Sequence, residues 1–216
     1  MKWRTKSKIA RAGRVLADRY RLEAPLGRGA MGEIWRAEHL GLKSQVAIKF
    51  LDSAIADDPE MLSRFSREAQ SAAAVRSPHV VQIFDCGVEG GAPYIAMELL
   101  QGQTLEARLH ERQRLTSAEL NQIFREVAAA VSKAHEVGVV HRDLKPGNIF
   151  LALEAEGEIT KVLDFGIAKV ATGTHTTGLT VTGTLLGTPH YMSPEQARGS
   201  RDVDYRSDLW SLAIIA

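Results

Sequence analysis

The chain has 216 residues, of which 44% are hydrophobic and 25% are charged, and its formal net charge is +1. These values are ordinary for a soluble globular protein of one large domain or two small lobes, and the near-zero charge gives no electrostatic argument for a nucleic-acid partner. The single cysteine, Cys86, excludes an internal disulfide and fits a reducing compartment.

The basic N-terminus lacks the features of a targeting signal. Six lysine and arginine side chains occur in the first fourteen residues, but no apolar run there exceeds two residues. A secretory signal needs an apolar stretch of about 7–15 residues, so we predict a solvated basic lead-in over residues 1–18, with a weak site for acidic lipid or a partner as the alternative. No run approaches the ~18 apolar residues of a membrane span. We therefore expect a cytoplasmic chain, with any membrane anchor beyond residue 216.

A glycine-rich segment follows the first strand-like stretch. Gly27, Gly29 and Gly32 form a G-x-G-x-x-G pattern. A dinucleotide-binding motif would need a helix at the last glycine, whereas the following EIWRAEH alternates apolar and polar residues and predicts a strand. No Gly-Lys-Ser/Thr follows, so the segment is not a Walker motif either. A glycine-rich hairpin can press its backbone N–H groups onto phosphates because no side chain intervenes.

The next strand, VAIK, carries Lys49. A lysine on a half-buried strand is costly unless it is paired, and Glu68 on the following helix is the partner that we predict. That helix begins after Asp58 at the N-cap, with Pro59 at the first helical position. Its apolar stripe consists of Leu62, Phe65, Ala69, Ala72 and Ala73, with Glu68 beside it.

Two further strands are predicted over VVQIFDCG and APYIAMELL, which gives five strands and one helix before residue 100. The pattern then changes to a helical period. Thr116 with Glu119 forms a capping box, and Leu120, Ile123, Val127, Val131 and Ala134 recur at helical spacing until Gly138 ends the helix.

The stretch HRDLKPGN, from His141 to Asn148, is too polar and too interrupted by proline and glycine to be a helix or a strand. Two strand-like segments, NIFLAL and ITKVL, lie between it and the stretch VLDFG. A loop, a hairpin and a second loop would bring Asp143, Lys145, Asn148 and Asp164 to one place. Carboxylates, an amide oxygen and a lysine that converge in this way suit a phosphate with Mg²⁺.

These residues resemble the catalytic loop and the Asp-Phe-Gly motif of the eukaryotic-type protein kinases, in their bacterial serine/threonine branch. The resemblance implies an α+β fold with two lobes and ATP between them. The N-lobe (19–97) would have a five-stranded antiparallel sheet and one main helix, followed by a hinge (98–103) and a mostly helical C-lobe (104–216). The apolar LWSLAIIA predicts a buried core helix. The resemblance implies that elements covering this helix lie beyond residue 216, so that the C-lobe would be truncated.

The resemblance also implies the site. Asp143 would orient the substrate hydroxyl, Lys145 would neutralise the γ-phosphate, and Lys49, oriented by Glu68, would hold the α- and β-phosphates. Asn148 and Asp164 would hold Mg²⁺ or Mn²⁺. The implied nucleotide-binding residues are Leu26, Gly27, Gly29, Gly32, Ile34, Ala47, Lys49, Met97, Glu98, Leu100 and Phe150. In the family, His141 packs and forms hydrogen bonds rather than acting as a base.

A segment rich in threonine and glycine follows Asp164 and runs into GTPHYMSPEQ, which resembles the substrate-docking loop and the Ala-Pro-Glu motif of the kinases. The resemblance implies that the regulatory residues are Arg142, Thr180, Thr182 and Thr188. Arg142 would bind a phosphothreonine, and Thr180 and Thr182 are the predicted autophosphorylation sites.

The sequence thus predicts a serine/threonine protein kinase whose partners are ATP and protein substrates, without nucleic acid, and which can form a kinase–kinase dimer for trans-autophosphorylation. Two alternatives remain at this stage. One is a small-molecule phosphotransferase, because enzymes of that class use a comparable Asp/Asn loop. The other is a truncated, inactive nucleotide-binding or regulatory fragment, which shares every motif.

Overall fold

The computed structural model describes residues 10–29, 32–51, 54–165, 189–200 and 202–216. The chain divides into two compact units. The first comprises residues up to Ala73 together with Gln82–Leu100, and the second comprises Ala74–Val81 and Gln101–Ala216. Among the helices of the described ranges, none is long and apolar enough to cross a bilayer.

An antiparallel sheet forms the first unit. Its strands are β1 (Val15–Leu16), β2 (Tyr20–Gly29), β3 (Gly32–His39), β4 (Ser44–Phe50), β5 (Ile83–Glu89) and β6 (Ala92–Glu98). They are arranged in the order β1-β2-β3-β4-β6-β5. The prediction of five strands is corrected to six, because β1 pairs with Tyr20 and Arg21 of β2. A two-residue strand is too short to show the alternation by which strands are predicted.

Strand β5 begins later than predicted. Val80 and Val81 belong to the second unit, where the Val81 N–H donates to the Val162 carbonyl at 3.0 Å. Cys86 lies within β5 and is half-buried. Burial, and after it the charge of Asp85, raises the pKa of the Cys86 thiol.

The glycine-rich segment is a hairpin, as predicted. Gly29 of β2 pairs with Gly32 of β3, so a strand and not a helix follows the last glycine. Gly32 has a φ of 143°, and a Cβ there would lie 1.7 Å from the carbonyl oxygen of Phe50. Only glycine fits that position, because the backbone of β4 occupies the space of a side chain.

Two helices, α1 (Ala54–Asp57) and α2 (Pro59–Ala74), follow β4. Asp58 caps α2 as predicted, since its Oδ1 accepts the Glu60 N–H at 2.8 Å. The predicted apolar stripe is buried at its centre and half-buried at Leu62 and Ala73. The buried side chains of α2 are those of Phe65, Ala69 and Ala72.

One cluster of buried apolar residues in the first unit lies on one face of its sheet. Val46, Ile48 and Phe50 of β4 belong to it and alternate with Ala47 and Lys49. Because successive strand side chains point to opposite faces, Lys49 lies on the face opposite this core. The remaining members of the core cluster are Leu16, Tyr20, Leu22, Trp35, Ala37, Ala92, Tyr94 and Ala96.

The second unit is mostly helical and carries a small antiparallel sheet of order β7-β8-β9. Its elements are β7 (Gly102–Thr104), α3 (Leu105–Arg112), α4 (Ser117–Glu136), β8 (Ile149–Glu154), β9 (Gly157–Val162), α5 (Pro194–Ala197) and α6 (Arg206–Ile215). A 3₁₀ turn at Pro146–Asn148 precedes β8.

The predicted capping box starts α4. Thr116 Oγ1 accepts the Glu119 N–H at 3.2 Å, and Glu119 Oε2 accepts the Thr116 N–H at 2.8 Å. Gly138, with a φ of 77°, follows the end of the helix. The side chains that α4 buries are those of Ile123, Val127, Ala130, Val131 and Ala134.

Backbone and side-chain acceptors cover the outer edge of β9. Thr160 donates its N–H to Glu126 Oε2 at 2.7 Å, and Val162 donates its N–H to the His79 carbonyl at 2.8 Å. These bonds give acceptors to backbone N–H groups of β9 that would otherwise have no hydrogen-bond partner. They hold the strand that leads directly into residues 163–165.

Helix α6 packs a polar face against the rest of the described chain. Its buried residues are Ser207, Asp208 and Ser211. Its large apolar side chains are about half-exposed, at 50% for Leu209, 44% for Trp210 and 48% for Ile214. The described chain therefore packs the polar face of α6 and leaves its apolar side chains half-exposed, which agrees with the expectation of a core helix that lacks its later neighbours.

Candidate active site

The loop between α4 and β8 brings three of the predicted residues together. Asp143 Oδ2 accepts hydrogen bonds from Lys145 Nζ at 2.8 Å and from Asn148 Nδ2 at 3.1 Å. Asn148 Nδ2 also donates to the Asp143 carbonyl at 2.7 Å. The turn at Pro146–Asn148 folds the chain back on itself and so makes these contacts possible.

This network decides which atoms remain for a ligand. Because the Asn148 amide nitrogen donates to Asp143, the Asn148 Oδ1 is the atom left to accept a hydrogen bond or to coordinate a cation. Within the described residues, both side-chain donors to the Asp143 carboxylate reach its Oδ2. The Asp143 Oδ1 is therefore the carboxylate oxygen that these two donors leave open.

Asp164 follows β9 and is tied to the loop through its neighbours. The Leu163 N–H donates to the Asn148 carbonyl at 2.9 Å, and the Phe165 ring lies 4.8 Å from the His141 ring, centroid to centroid. Asp164 itself has a φ of 56°. A non-glycine residue in this left-handed region is strained, and such strain clusters at functional sites.

His141 has the packing role that was predicted for it. It is 1% exposed. Its Nε2 donates to the Leu163 carbonyl at 2.8 Å, and its Nδ1 accepts the Asp143 N–H at 3.2 Å. Both ring nitrogens are occupied by backbone groups, so His141 links the catalytic loop to the segment that contains Asp164.

Asp208 anchors the same loop from α6, a role that sequence reasoning missed. Its fully buried carboxylate accepts the N–H groups of His141 at 2.9 Å and Arg142 at 2.7 Å, and His135 Nε2 at 2.8 Å. A carboxylate inside an apolar helix is costly unless donors surround it. The sequence therefore indicated that such a carboxylate needs donors, but it did not indicate which residues supply them.

Arg142 is held by its backbone more than by its side chain. Its φ is 64°, and its carbonyl accepts Gln196 Nε2 at 2.7 Å. The guanidinium reaches only the Val203 carbonyl, at 3.5 Å, and its Nε is buried with no hydrogen-bond partner in the described chain. Such a donor fits the predicted role of binding an anion. Three predicted regulatory residues lie outside the described residues: Thr180, Thr182 and Thr188.

The first unit holds the predicted phosphate-binding lysine. Lys49 lies on β4 opposite Ile34 of β3 and is 6% exposed. Glu68 lies on α2 and is half-buried. The ion pair between them stays a prediction.

The other predicted nucleotide-binding residues fall mainly on the same sheet. Leu26, Gly27 and Gly29 lie on β2, Gly32 and Ile34 on β3, Ala47 on β4, and Met97 and Glu98 on β6, with Leu100 just beyond; Phe150 lies on β8 of the second unit. The Glu98 N–H donates to the Gln82 carbonyl at 2.9 Å, so this N–H group is not available to a nucleotide.

The donor set suits a cation that is shared with phosphates. In the described ranges, no group of three or more His, Cys, Asp and Glu residues could hold a metal ion. Asn148 and Asp164 offer an amide oxygen and a carboxylate. Mg²⁺ binds through one or two carboxylates together with substrate phosphates and water, and it does not need a cage made only of protein. The residues present therefore fit Mg²⁺.

Comparisons with known proteins agree with this geometry. The family model described as "Protein kinase domain" matches residues 20–216. The chain is 43% identical over 206 residues to serine/threonine-protein kinase pkn3 of Myxococcus xanthus, covering 94% of this chain and 38% of that protein. It is 40% identical over 204 residues to serine/threonine-protein kinase PknB of Mycolicibacterium smegmatis, covering 93% and 32%. The chain thus spans about a third of the length of these curated relatives.

Solved structures give the same family. The crystal structure of the Mycobacterium tuberculosis PknI kinase domain matches with a TM-score of 0.76 and 32% sequence identity. The match covers 94% of this chain and 75% of that chain.

Proposed function

Since this chain belongs to the protein kinase family, among its bacterial serine/threonine members, we propose that it transfers the γ-phosphate of ATP to serine and threonine hydroxyls of proteins. The observation that carries the proposal is the contact of Asp143 with both Lys145 and Asn148. A carboxylate that contacts both an ammonium and an amide supplies the parts that phosphoryl transfer to a hydroxyl needs.

Asp143 orients the acceptor. With its Oδ2 held by Lys145 and Asn148, its Oδ1 accepts the hydrogen bond of a Ser or Thr hydroxyl and takes up its proton. Lys145 lies 2.8 Å from the same carboxylate, so its charge is placed to neutralise the γ-phosphate as it approaches the hydroxyl.

Lys49 holds the α- and β-phosphates, and Glu68 orients it. The burial of Lys49 on β4 strengthens its attraction for an anion. The backbone of the hairpin formed by Gly27, Gly29 and Gly32 covers the phosphates, because these glycines leave the N–H groups accessible. The remaining predicted nucleotide contacts surround the adenine.

Asn148 and Asp164 hold the divalent cation, Mg²⁺ or Mn²⁺. A cation held there would supply positive charge that offsets the negative charge of the phosphates. Asn148 contributes its Oδ1, since its amide nitrogen is held by Asp143. The strained backbone of Asp164 sets the direction of its carboxylate.

Arg142 couples activity to phosphorylation. Its buried, unsatisfied Nε would gain a charge-assisted bond from a phosphothreonine. Thr180 and Thr182 are the candidate phosphorylated residues, and Thr188 belongs in sequence to the stretch that resembles the docking loop. Trans-autophosphorylation in a kinase–kinase dimer would supply this phosphate. The activated kinase would then phosphorylate its protein substrates.

Autophosphorylation with radiolabelled ATP tests the proposal. We expect the purified protein to incorporate label in the presence of Mg²⁺, to lose incorporation when the metal is chelated, and to lose it in the Asp143→Asn variant. The matched control is Asp202→Asn, which neutralises an exposed aspartate remote in sequence from the loop. Label retained by the Asp143→Asn protein would contradict the assignment of Asp143.

A further inference from the structure

A single glutamine side chain links α5 to the catalytic loop. Gln196 belongs to α5 and is 9% exposed. Its Nε2 donates to the Arg142 carbonyl at 2.7 Å, although the two residues lie 54 positions apart. Its Oε1 accepts the N–H and the hydroxyl of Ser193, each at 3.2 Å. One amide therefore joins the N-cap of α5 to the backbone of the loop from His141 to Asn148.

Only one orientation of the Gln196 amide satisfies both neighbours. The Arg142 carbonyl can only accept a hydrogen bond, and the Ser193 N–H can only donate one. The amide nitrogen must therefore face Arg142 and the amide oxygen must face Ser193. A glutamate at position 196 would keep the contact with Ser193, since Glu and Gln serve equally at this place in a capping box. An ionised carboxylate has no donor for Arg142, so helix capping alone does not explain a glutamine here.

The carbonyl that Gln196 holds belongs to the peptide group that leads into Asp143. The C=O of Arg142 and the N–H of Asp143 lie in one rigid plane. The Asp143 N–H donates to His141 Nδ1 at 3.2 Å, so both ends of this plane are held. The preceding N–H, that of Arg142, donates to Asp208 at 2.7 Å. The backbone on either side of Arg142 is therefore fixed by side chains.

These bonds hold a backbone conformation that is unfavourable by itself. Arg142 has a φ of 64°, in the left-handed region that a non-glycine residue rarely adopts. Without the Gln196 bond, rotation of the next peptide plane would relieve this strain. The same rotation would turn the Asp143 side chain, whose carboxylate contacts Lys145 and Asn148. The aim of the carboxylate thus depends on the bond from Gln196.

Helix α6 supports both partners of this link. Its Asp208 accepts the Arg142 N–H, and its Ser211 Oγ donates at 2.7 Å to the carbonyl of Tyr191, which precedes α5 by three residues. All of these residues belong to the second unit. The segment from Tyr191 to Gln196 and the catalytic loop are therefore held on the same helix, and Gln196 joins them directly.

We propose that Gln196 is a positioning residue: it holds the peptide group between Arg142 and Asp143 in the orientation that aims the Asp143 carboxylate. Phosphoryl transfer then depends on the order of the segment Ser193–Ala197, because only the folded α5 places the Gln196 amide beside Arg142. The inference rests on the proposed kinase function and adds how its site is regulated. Loss of the bond lowers turnover and leaves nucleotide binding intact.

The test compares two substitutions at position 196 by the maximal rate of autophosphorylation of the dephosphorylated protein at saturating ATP and Mg²⁺. Gln196→Glu keeps an acceptor for Ser193, and with it the capping box, but turns a second oxygen towards the Arg142 carbonyl. Gln196→Met is close to glutamine in size and makes neither bond. If position 196 served the helix cap alone, methionine would lower the rate more than glutamate. We expect the opposite order.

Gln196→Glu should lower the maximal rate about tenfold, a factor that one lost hydrogen bond can account for. Gln196→Met should lower it by no more than that. Isothermal titration calorimetry with ATP and Mg²⁺ should give unchanged stoichiometry and Kd for both variants, which separates turnover from the folded fraction. Gln113→Glu is the matched control, because it removes an exposed amide that donates to the His110 carbonyl at 3.2 Å. It should keep the full rate.

Three results would overturn the inference alone. The first is a rate for Gln196→Glu equal to that of the unmodified protein, and the second is a larger loss in Gln196→Met than in Gln196→Glu. The third is a fall in rate that matches a fall in binding stoichiometry, since this means a purely structural role. If the unmodified protein binds nucleotide but incorporates no label, the proposed function itself is contradicted.

Discussion

The carboxylate of Asp208 accepts the backbone N–H of Arg142 at 2.7 Å, although the two residues lie 66 positions apart in the chain. The same carboxylate accepts the N–H of His141 and the ring N–H of His135. One buried side chain of α6 thus fixes the backbone immediately before Asp143. The geometry of the proposed catalytic carboxylate, Asp143, thus depends on a residue to which the proposed reaction gives no contact with substrate.

We predict that Asp208→Asn lowers both stability and activity. The asparagine turns an N–H₂ group towards donors that the carboxylate now accepts, which costs on the order of 3 kcal/mol because hydrogen bonds to buried charges are strong. Urea unfolding measures the loss of stability, and the rate of autophosphorylation measures the effect on the loop from His141 to Asn148. Asp202→Asn, at an exposed site, is the control. Unfolding curves that coincide for Asp208→Asn and the unmodified protein would show that Asp208 is not an anchor.

Gly32→Ala should destabilise the first unit strongly. The φ of 143° and the 1.7 Å approach of the Phe50 carbonyl oxygen force either the hairpin or β4 to move. Left-handed strain alone costs about 1–3 kcal/mol at a non-glycine residue, and the clash adds to it. Gly27→Ala is the matched control, because a Cβ there meets nothing within 4 Å. Thermal unfolding followed by circular dichroism measures both variants, and equal melting temperatures would refute this account.

Glu126 should make stability depend on pH in the acid range. Burial opposes its ionisation, but hydrogen bonds from Thr160 and Gln122, together with the charge of His79, outweigh burial and lower the pKa of Glu126. A lowered pKa stabilises the fold above the unfolded value of about 4.3, and this stabilisation is lost as the pH falls through the folded pKa.

We therefore expect the melting temperature of the unmodified protein to fall towards that of Glu126→Gln between about pH 5 and pH 3. Glutamine keeps an acceptor for the Thr160 N–H but does not titrate. The measurement is the difference in melting temperature between the two proteins across this range. A difference that stays constant with pH would rule out the ionisation of Glu126 as its source.

The ion pair between Arg108 and Glu158 should contribute to the stability of the second unit. The Arg108 side chain is 10% exposed, and both of its terminal nitrogens donate to the Glu158 carboxylate. Glu158→Ala would leave a buried guanidinium without its partner. We expect a loss of about 2 kcal/mol, below the usual figure for a fully buried pair because Glu158 is partly exposed. Glu156→Ala, at an exposed neighbour, should change the unfolding free energy little.

Much of the fold could be read from short stretches of sequence. The Asp58 cap, the capping box of Thr116 and Glu119 and the glycine-rich hairpin all depend on residues within a few positions of one another, and each was confirmed. The loop from His141 to Asn148 was likewise evident, since its polarity and its proline and glycine exclude regular structure. Local hydrogen bonds and backbone preferences act at this range, so a linear pattern is enough to predict them.

Other features could not be predicted because they depend on residues distant in sequence. The pairing of β1 with β2 needs only two residues and leaves no periodic pattern. The donors that surround Asp208 come from α4 and the catalytic loop, and the approach of Glu106 to Gly147 joins a helix to a turn. A buried charge indicates that partners must exist, but packing selects them from the many polar groups of the chain. Composition and spacing thus indicated the elements and the chemistry, whereas long-range burial determined which side chains meet.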